Sequence, residues 1–349
     1  MKPQQLVTVA LGVLLGAGVG TPAEAQVCIA PPSGLVGWWP GNGTAEDAAA
    51  GNNGQLFGDA TFASAVVGQG FKFDGFGDYV EIPDSSALRP AQMSTEAWVR
   101  FDSMDTPIVS DFGALGLQYI IFKKNSRIFN FEAYALRKER QLGVERFVFS
   151  VADVNGFGGT NLATSTTALV VGQFYHVVGS YDGSRVRLYV NGVLEGESAV
   201  TLTVDYGTRP IFIGTSGETV FDGKLNGIVD EASIYNRALD AAEVAALYEA
   251  GPAGKCFSAT GLITSLATFV QTLNLSRGIA NSLDAKLQNV LQALDDAGAG
   301  DTLSACNRMV GFINEVSAQT GKELSSTQAA QLTAAAARIR SALRCPQRR

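Results

Sequence analysis

The 349-residue chain is 46% hydrophobic, contains 39 glycines and has a formal net charge of −7. This is a globular composition with room for two domains, and it excludes a disordered chain. Residues 26–255 hold 16 basic and 26 acidic residues, an acidic balance that argues against a nucleic acid partner.

In chain order, Lys2, the apolar run over residues 6–20 and the Ala23-Glu24-Ala25 site read as a signal peptide spanning residues 1–25. The run is short for a spanning helix, which needs roughly 20 apolar residues, and no later stretch is long enough. The chain is therefore expected outside the cell or at its surface, without a membrane span. In that compartment four cysteines suggest two disulfides.

From residue 34 to about residue 235 the apolar pattern alternates. Phe71 and Phe73 share one face, as do Ala97, Val99 and Phe101, and as do Val186, Leu188 and Val190. This is the period of half-buried strands. Asp182-Gly183, Asn191-Gly192 and Asp222-Gly223 supply turn chemistry between them. A dozen strands without intervening helices predict a two-sheet sandwich. A short helix closes this part, with Asp240 as N-cap, Glu243 completing a capping box, and Val244, Leu247 and Tyr248 as its stripe.

Beyond Lys255 the period becomes helical. Stripes run through Leu262–Leu273, Ile279–Leu294, Met309–Val316 and Leu332–Leu343. Breaks fall at residues 274–276, 298–301 and 321, with Asp301 and Ser325 or Ser326 as caps. A four-helix unit this small gains from a covalent staple. Antiparallel third and fourth helices bring Cys306 to Cys345, which leaves Cys28 for Cys256 at the two ends of the β part. The predicted organisation is a signal peptide (1–25), a β domain (26–255) and a helical domain (256–349).

Four stretches in order carry a resemblance: GLVGWWPGNGTAEDAAAGNNGQLFG, GQGFKFDGFGDYVEI, FYHVVGSYDGSRVRLYVNGVL and FDGKLNGIVDEASIYNRALDAAEVAALY. Together they resemble a LamG-like domain of the concanavalin A-like lectin/glucanase superfamily. The resemblance implies an all-β jelly roll, followed here by a small all-α four-helix module. The latter, with ACNRMVGFINEVSAQTGKELSSTQAAQL at its core, is similar to helical modules at the ends of exported bacterial proteins.

The resemblance also implies a structural calcium near the rim. Residues 41–54, a loop with four glycines and three asparagines, would meet the late strand carrying Asp230. The expected ligands are Asp47, Asn53 and Asp230 with loop carbonyls. The alternative is that Asp47 and Asp230 bond backbone amides without a metal. Ala48-Ala49-Ala50 departs from the family's Ser and Asn.

No catalytic residue is assigned. Glycoside hydrolysis needs two carboxylates flanking the scissile bond, and the E-x-D-x-E strand of the superfamily's hydrolases is missing. Glu195 and Glu197 follow a turn without a third acid, and adjacent Asp230 and Glu231 are expected on opposite faces. His176, the one histidine, reads as structural. Of Trp38 and Trp39, one should enter the core and the other face outward. Seven basic residues between Lys123 and Arg146 interleave with Tyr119, Phe129, Phe131 and Tyr134. They outline a groove for an acidic glycan, with Lys123, Arg127, Arg137 and Arg140 as its candidates, or else a solvated strand pair. The leading expectation is non-enzymatic carbohydrate binding. The runner-up is a structural or adhesive protein that binds an extracellular protein, and the third is an unusual glycoside hydrolase.

Overall fold

The computed structural model describes residues 28–106, 116–127, 132–155, 162–218, 222–256, 259–273, 275–297, 302–343 and 345–346. The expected signal peptide, Phe129, Phe131 and the Asp301 cap lie outside them. The strands are β1 (Leu35–Trp39), β2 (Gln55–Phe57), β3 (Thr61–Ser64), β4 (Gln69–Asp74), β5 (Tyr79–Ile82), β6 (Met93–Phe101), β7 (Gln118–Lys124), β8 (Glu132–Gln141), β9 (Val144–Val151), β10 (Leu162–Thr164), β11 (Phe174–Tyr181), β12 (Arg185–Val190), β13 (Val193–Ala199), β14 (Ile211–Ile213) and β15 (Asn226–Tyr235). The helices are α1 (Ala241–Ala250), α2 (Ala259–Thr272), α3 (Arg277–Ala297), α4 (Leu303–Gln319) and α5 (Ser326–Ala342).

The strands form two antiparallel sheets packed as a sandwich. Among the described residues one sheet runs β13-β12-β11-β6-β15-β4-β3, with β1 also paired to β15. The other runs β10-β9-β8-β7-β14-β5-β2. Alternation decides which side chains fill the space between them. Ala97, Val99 and Phe101 of β6 point inward with Val177, Phe147 and Phe149, while Glu96, Trp98 and His176 point away. Gly179 faces the Phe149 ring so closely that any side chain there would collide with it. Asn191 and Gly192, at φ 49° and 81°, turn β12 into β13, a geometry only such residues adopt cheaply.

Helix α1 caps the outer face of the eight-stranded sheet. Asp240 accepts from the Glu243 amide at 2.9 Å, and Glu243 accepts from the Asp240 amide at 3.0 Å. Val244 and Leu247 pack on Val178, Tyr189 and Tyr235. Helices α2–α5 enclose a second core that includes Leu266, Leu283, Leu287, Met309, Phe312, Leu332 and Ile339. Ser325 and Gln328 form a capping box before α5.

Disulfides join Cys28 to Cys256 and Cys306 to Cys345. The first closes 228 residues, and an isolated bridge between Ile29 and Lys255 runs beside it. Trp39 belongs to the sandwich core, whereas Trp38 joins the helical core together with Ala48. The outward tryptophan is thus buried, under the helices.

Candidate functional site

The loop over residues 41–54 is built around one carboxylate. Asp47 accepts from the amides of Trp38 and Ala49 with Oδ1, each at 2.8 Å. Its Oδ2 accepts from the Ala50 and Asn52 amides and from the Asn52 side chain, at 3.2, 2.9 and 3.3 Å. A carboxylate offers about four lone-pair sites, so N–H donors saturate Asp47. Asn53 turns its oxygen to the Asp47 amide at 2.9 Å, and Asp230 accepts from the Val67 amide at 2.9 Å. Asp47 and Asn53 do not fit the expected calcium ligands, because their oxygens are spent on amides, whereas Asp230 uses only Oδ2 in its bond to Val67 and its buried Oδ1 has no hydrogen-bond partner among the described residues.

The basic candidates are spent on ion pairs. Lys123 is fully buried, with Nζ 2.6 Å from Asp84 and 2.5 Å from the Arg209 carbonyl. Arg127 pairs with Asp205 at 2.6 Å, and Arg140 with Asp105 at 2.6 Å and Glu145 at 2.5 Å. Arg137 is held by Glu139 at 2.5 Å and Glu132 at 3.6 Å. Four cations neutralised in this way favour the strand-pair alternative over a groove for an acidic ligand. Asp84, Asp205 and Asp105 come from distant segments, which spacing could not reveal, whereas Glu132, Glu139 and Glu145 lie in the same segment as the arginines they hold.

What the middle segment does supply is part of an aromatic face. Register across the seven-stranded sheet aligns Gln55, Glu81, Phe212, Phe122, Ala135 and Ser150 in one row on its outer side. Tyr119 and Phe122 meet edge to face at 4.9 Å, and Tyr79 meets Phe212 likewise at 5.9 Å. At the edge strand β2 the Phe57 ring stacks parallel on Tyr79, with centroids 4.8 Å apart. Both rings are half-buried, whereas Phe122, Tyr119 and Phe212 are covered. Lys224 lies over Tyr79 at 5.9 Å and pairs with Asp222 at 2.7 Å. Burial and the charges of Glu81 and Asp222 push the Tyr79 hydroxyl pKa up.

Residues 73–245 match a family model described as the concanavalin A-like lectin/glucanases superfamily. Over those residues the β part is similar to members of that superfamily. The match begins beyond the loop at residues 41–54. No curated protein matches the chain. Among solved structures, the chain is similar to domain 4 of AbnA, a GH43 extracellular arabinanase from Geobacillus stearothermophilus, in complex with arabinotriose. That likeness has 17% identity and a TM-score of 0.46, and covers 60% of this chain and 96% of that one. The binding domain of Paraclostridial Mosquitocidal Protein 1 matches at 14% identity and a TM-score of 0.47, over 62% and 52% of the two chains. The botulinum neurotoxin serotype D binding domain matches at 16% and 0.45, over 62% and 51%. The chain thus spans about half the length of these two toxin domains.

Two further groups in the β domain escaped sequence reasoning. Asp59, Asp74 and Asp78 place carboxylate oxygens within 4.8 Å of one another, a set that could hold a metal ion. Asp78 also accepts from the Asp59 amide at 2.9 Å and the Asp74 amide at 3.1 Å. The alternation D-G-F-G-D of residues 74–78 was the available signal.

The second group is a buried ionic cluster on the outer face of the eight-stranded sheet. Lys255 lies 3.0 Å from Glu96 and 3.1 Å from Glu231, with Trp38 over its ammonium at 5.2 Å. Glu96 also accepts from the Tyr235 hydroxyl at 2.8 Å and contacts His176 at 3.3 Å. Burial raises the Glu96 pKa, but Lys255 and His176 more than reverse this and hold it at about 2. A bulge between Asp230 and Ser233, with Glu231 at φ 57°, turns Glu231 to the same side as Asp230. The expectation of opposite faces fails for that reason. Burial and the Glu231 charge push Asp230 up to about 8.

Proposed function

We propose that residues 26–255 form a secreted, non-enzymatic carbohydrate-binding domain carrying a disulfide-stapled helical module at residues 256–349. The observation that carries this reading is the half-exposed Phe57–Tyr79 stack on the outer sheet face, beside the Asp222–Lys224 pair. Aromatic faces take the apolar faces of sugar rings, and a few polar groups beside them bond hydroxyls. Two disulfides support an oxidising compartment. The non-enzymatic reading is supported by Glu132 and Glu139, which serve as ion-pair partners of Arg137.

Phe57→Ala is expected to weaken binding to a glycan array about fivefold with little change in melting temperature, since stacking is worth about 1 kcal/mol per ring. An unchanged array profile would reject this site. Release of reducing sugar from an array-positive glycan would reject the non-enzymatic reading.

For calcium, the supporting geometry is the cluster of Asp59, Asp74 and Asp78 and not the Asp47 loop; these three would hold the ion. Millimolar calcium is expected to raise the melting temperature over that in EGTA, and Asp59→Asn to abolish the difference. Identical wild-type midpoints would remove the ion.

One observation favours the protein-binding alternative. Phe76, Leu142, Val170 and Val171 are 53%, 105%, 56% and 51% exposed. Ladder register and the bond from the Gly172 amide to the Phe101 carbonyl set them near the end of the sandwich where β6 finishes. A glycan array silent for the wild type would favour that reading.

A further inference from the structure

The charges around the Phe57–Tyr79 stack bear on which glycans this face accepts. Four cations lie on the outer side of the seven-stranded sheet among the described residues. Arg137 is bracketed by Glu132 and Glu139, Lys124 is paired with Glu218, and Lys224 with Asp222. Arg146, on β9 and four strands away from Tyr79, donates to the Ser165 and Thr166 carbonyls instead. The three other cations thus each have a carboxylate within salt-bridge distance, and Arg137 has two. Glu81 adds one more acid. It stands two residues from Tyr79 on the same side of β5 and directly opposite Phe212. The upward push that Glu81 and Asp222 exert on Tyr79 shows the same negative field at the ring.

An anionic sugar on the stack would meet that field, and the cation at the ring, Lys224, is already paired with Asp222. To engage Lys224 it would have to displace Asp222. That carboxylate is anchored by the Ser216 amide at 3.1 Å and by the Thr215 hydroxyl at 2.5 Å. A neutral sugar needs no countercharge: it offers C–H faces to the rings and hydroxyls to the fixed carboxylates, which are strong acceptors. Building on the carbohydrate reading above, we propose that this face selects uncharged polysaccharides and rejects uronic-acid polymers, with Asp222 and Glu81 as the residues that reject them.

The test uses the full chain in a pull-down with two insoluble probes, a neutral β-glucan and a cross-linked polygalacturonate, at low and at physiological salt. Wild type is expected to bind the neutral polymer equally at both salts and to leave the polygalacturonate unbound. The double variant Glu81→Gln, Asp222→Asn frees Lys224 of its countercharge, while its amides keep the acceptor geometry. It is expected to gain about tenfold in polygalacturonate binding at low salt, and the gain should shrink with salt. Salt-sensitive binding of polygalacturonate by wild type would overturn the selectivity while leaving carbohydrate binding intact. A double variant that folds, binds the neutral polymer and still ignores polygalacturonate would overturn the role of the two acids. Wild type that binds neither polymer, nor any glycan on the array, would overturn the carbohydrate reading itself.

Discussion

Lys255 is a single positive charge placed between two buried carboxylates, Glu96 and Glu231, each about 3 Å away. Replacing it by Met would leave two like charges buried without a countercharge, at a cost of about 3–5 kcal/mol in urea unfolding. Part of that loss should return as the pH is lowered and a carboxylate takes a proton. Asp230 makes the opposite kind of prediction. Its ordinary pKa is 3.8 and its folded value about 8. Between those limits the folded chain keeps a proton that the unfolded chain has released. Stability therefore falls as pH rises from about 4 to about 8, then levels off. Asp230→Asn, which keeps the acceptor for the Val67 amide, should flatten that slope in melting curves taken across the window. The cluster could not be read from sequence: Glu96 and Lys255 are 159 residues apart, and one extra residue at the bulge reversed the face of Glu231.

At the scale of elements, local rules worked where the deciding contacts were local. The alternation in β6 and β12, the Asn191-Gly192 turn and the Asp240–Glu243 box each involve residues a few positions apart, and the structure contains them all. The loop of residues 41–54 resisted for the converse reason. Its glycines suggested carbonyls free to turn inward, yet its acceptor is one aspartate surrounded by amides. Truncating that carboxylate in Asp47→Ala would strand five donors and lower stability by about 3 kcal/mol, while Asp47→Asn should cost less. Neither substitution should alter the response to EGTA, which separates this loop from the Asp59 cluster. Ala48-Ala49-Ala50, odd for a metal loop, has a steric reason. Ala48 sits against Leu262 and Leu266 of α2 at a small cavity also lined by Ala335 and Arg338 of α5. A longer side chain at Ala48 would hold the helix off.

For the whole molecule, the two cores meet through Trp38 and Ala48, and Arg338 reaches across to the Asn42 carbonyl at 2.5 Å. The helical part is thus seated on the sandwich, which its own stripes could not announce because they name only the residues facing inward. Ala48→Asp would put an unpaired charge into that seam. Limited proteolysis should then release the helical part from the sandwich much faster than in wild type, while the sandwich keeps its melting transition.

The Cys28–Cys256 bond, with Cα atoms 5.0 Å apart, adds a mechanical property. Tension applied between the N-terminal end and the helical module enters at one cysteine and leaves at the other. The force path crosses a covalent bond and bypasses the fifteen strands of the described residues. A pull along the chain would extend the helices while both sheets stayed folded and unloaded. Reducing that one bond would put the whole sandwich in series with the load.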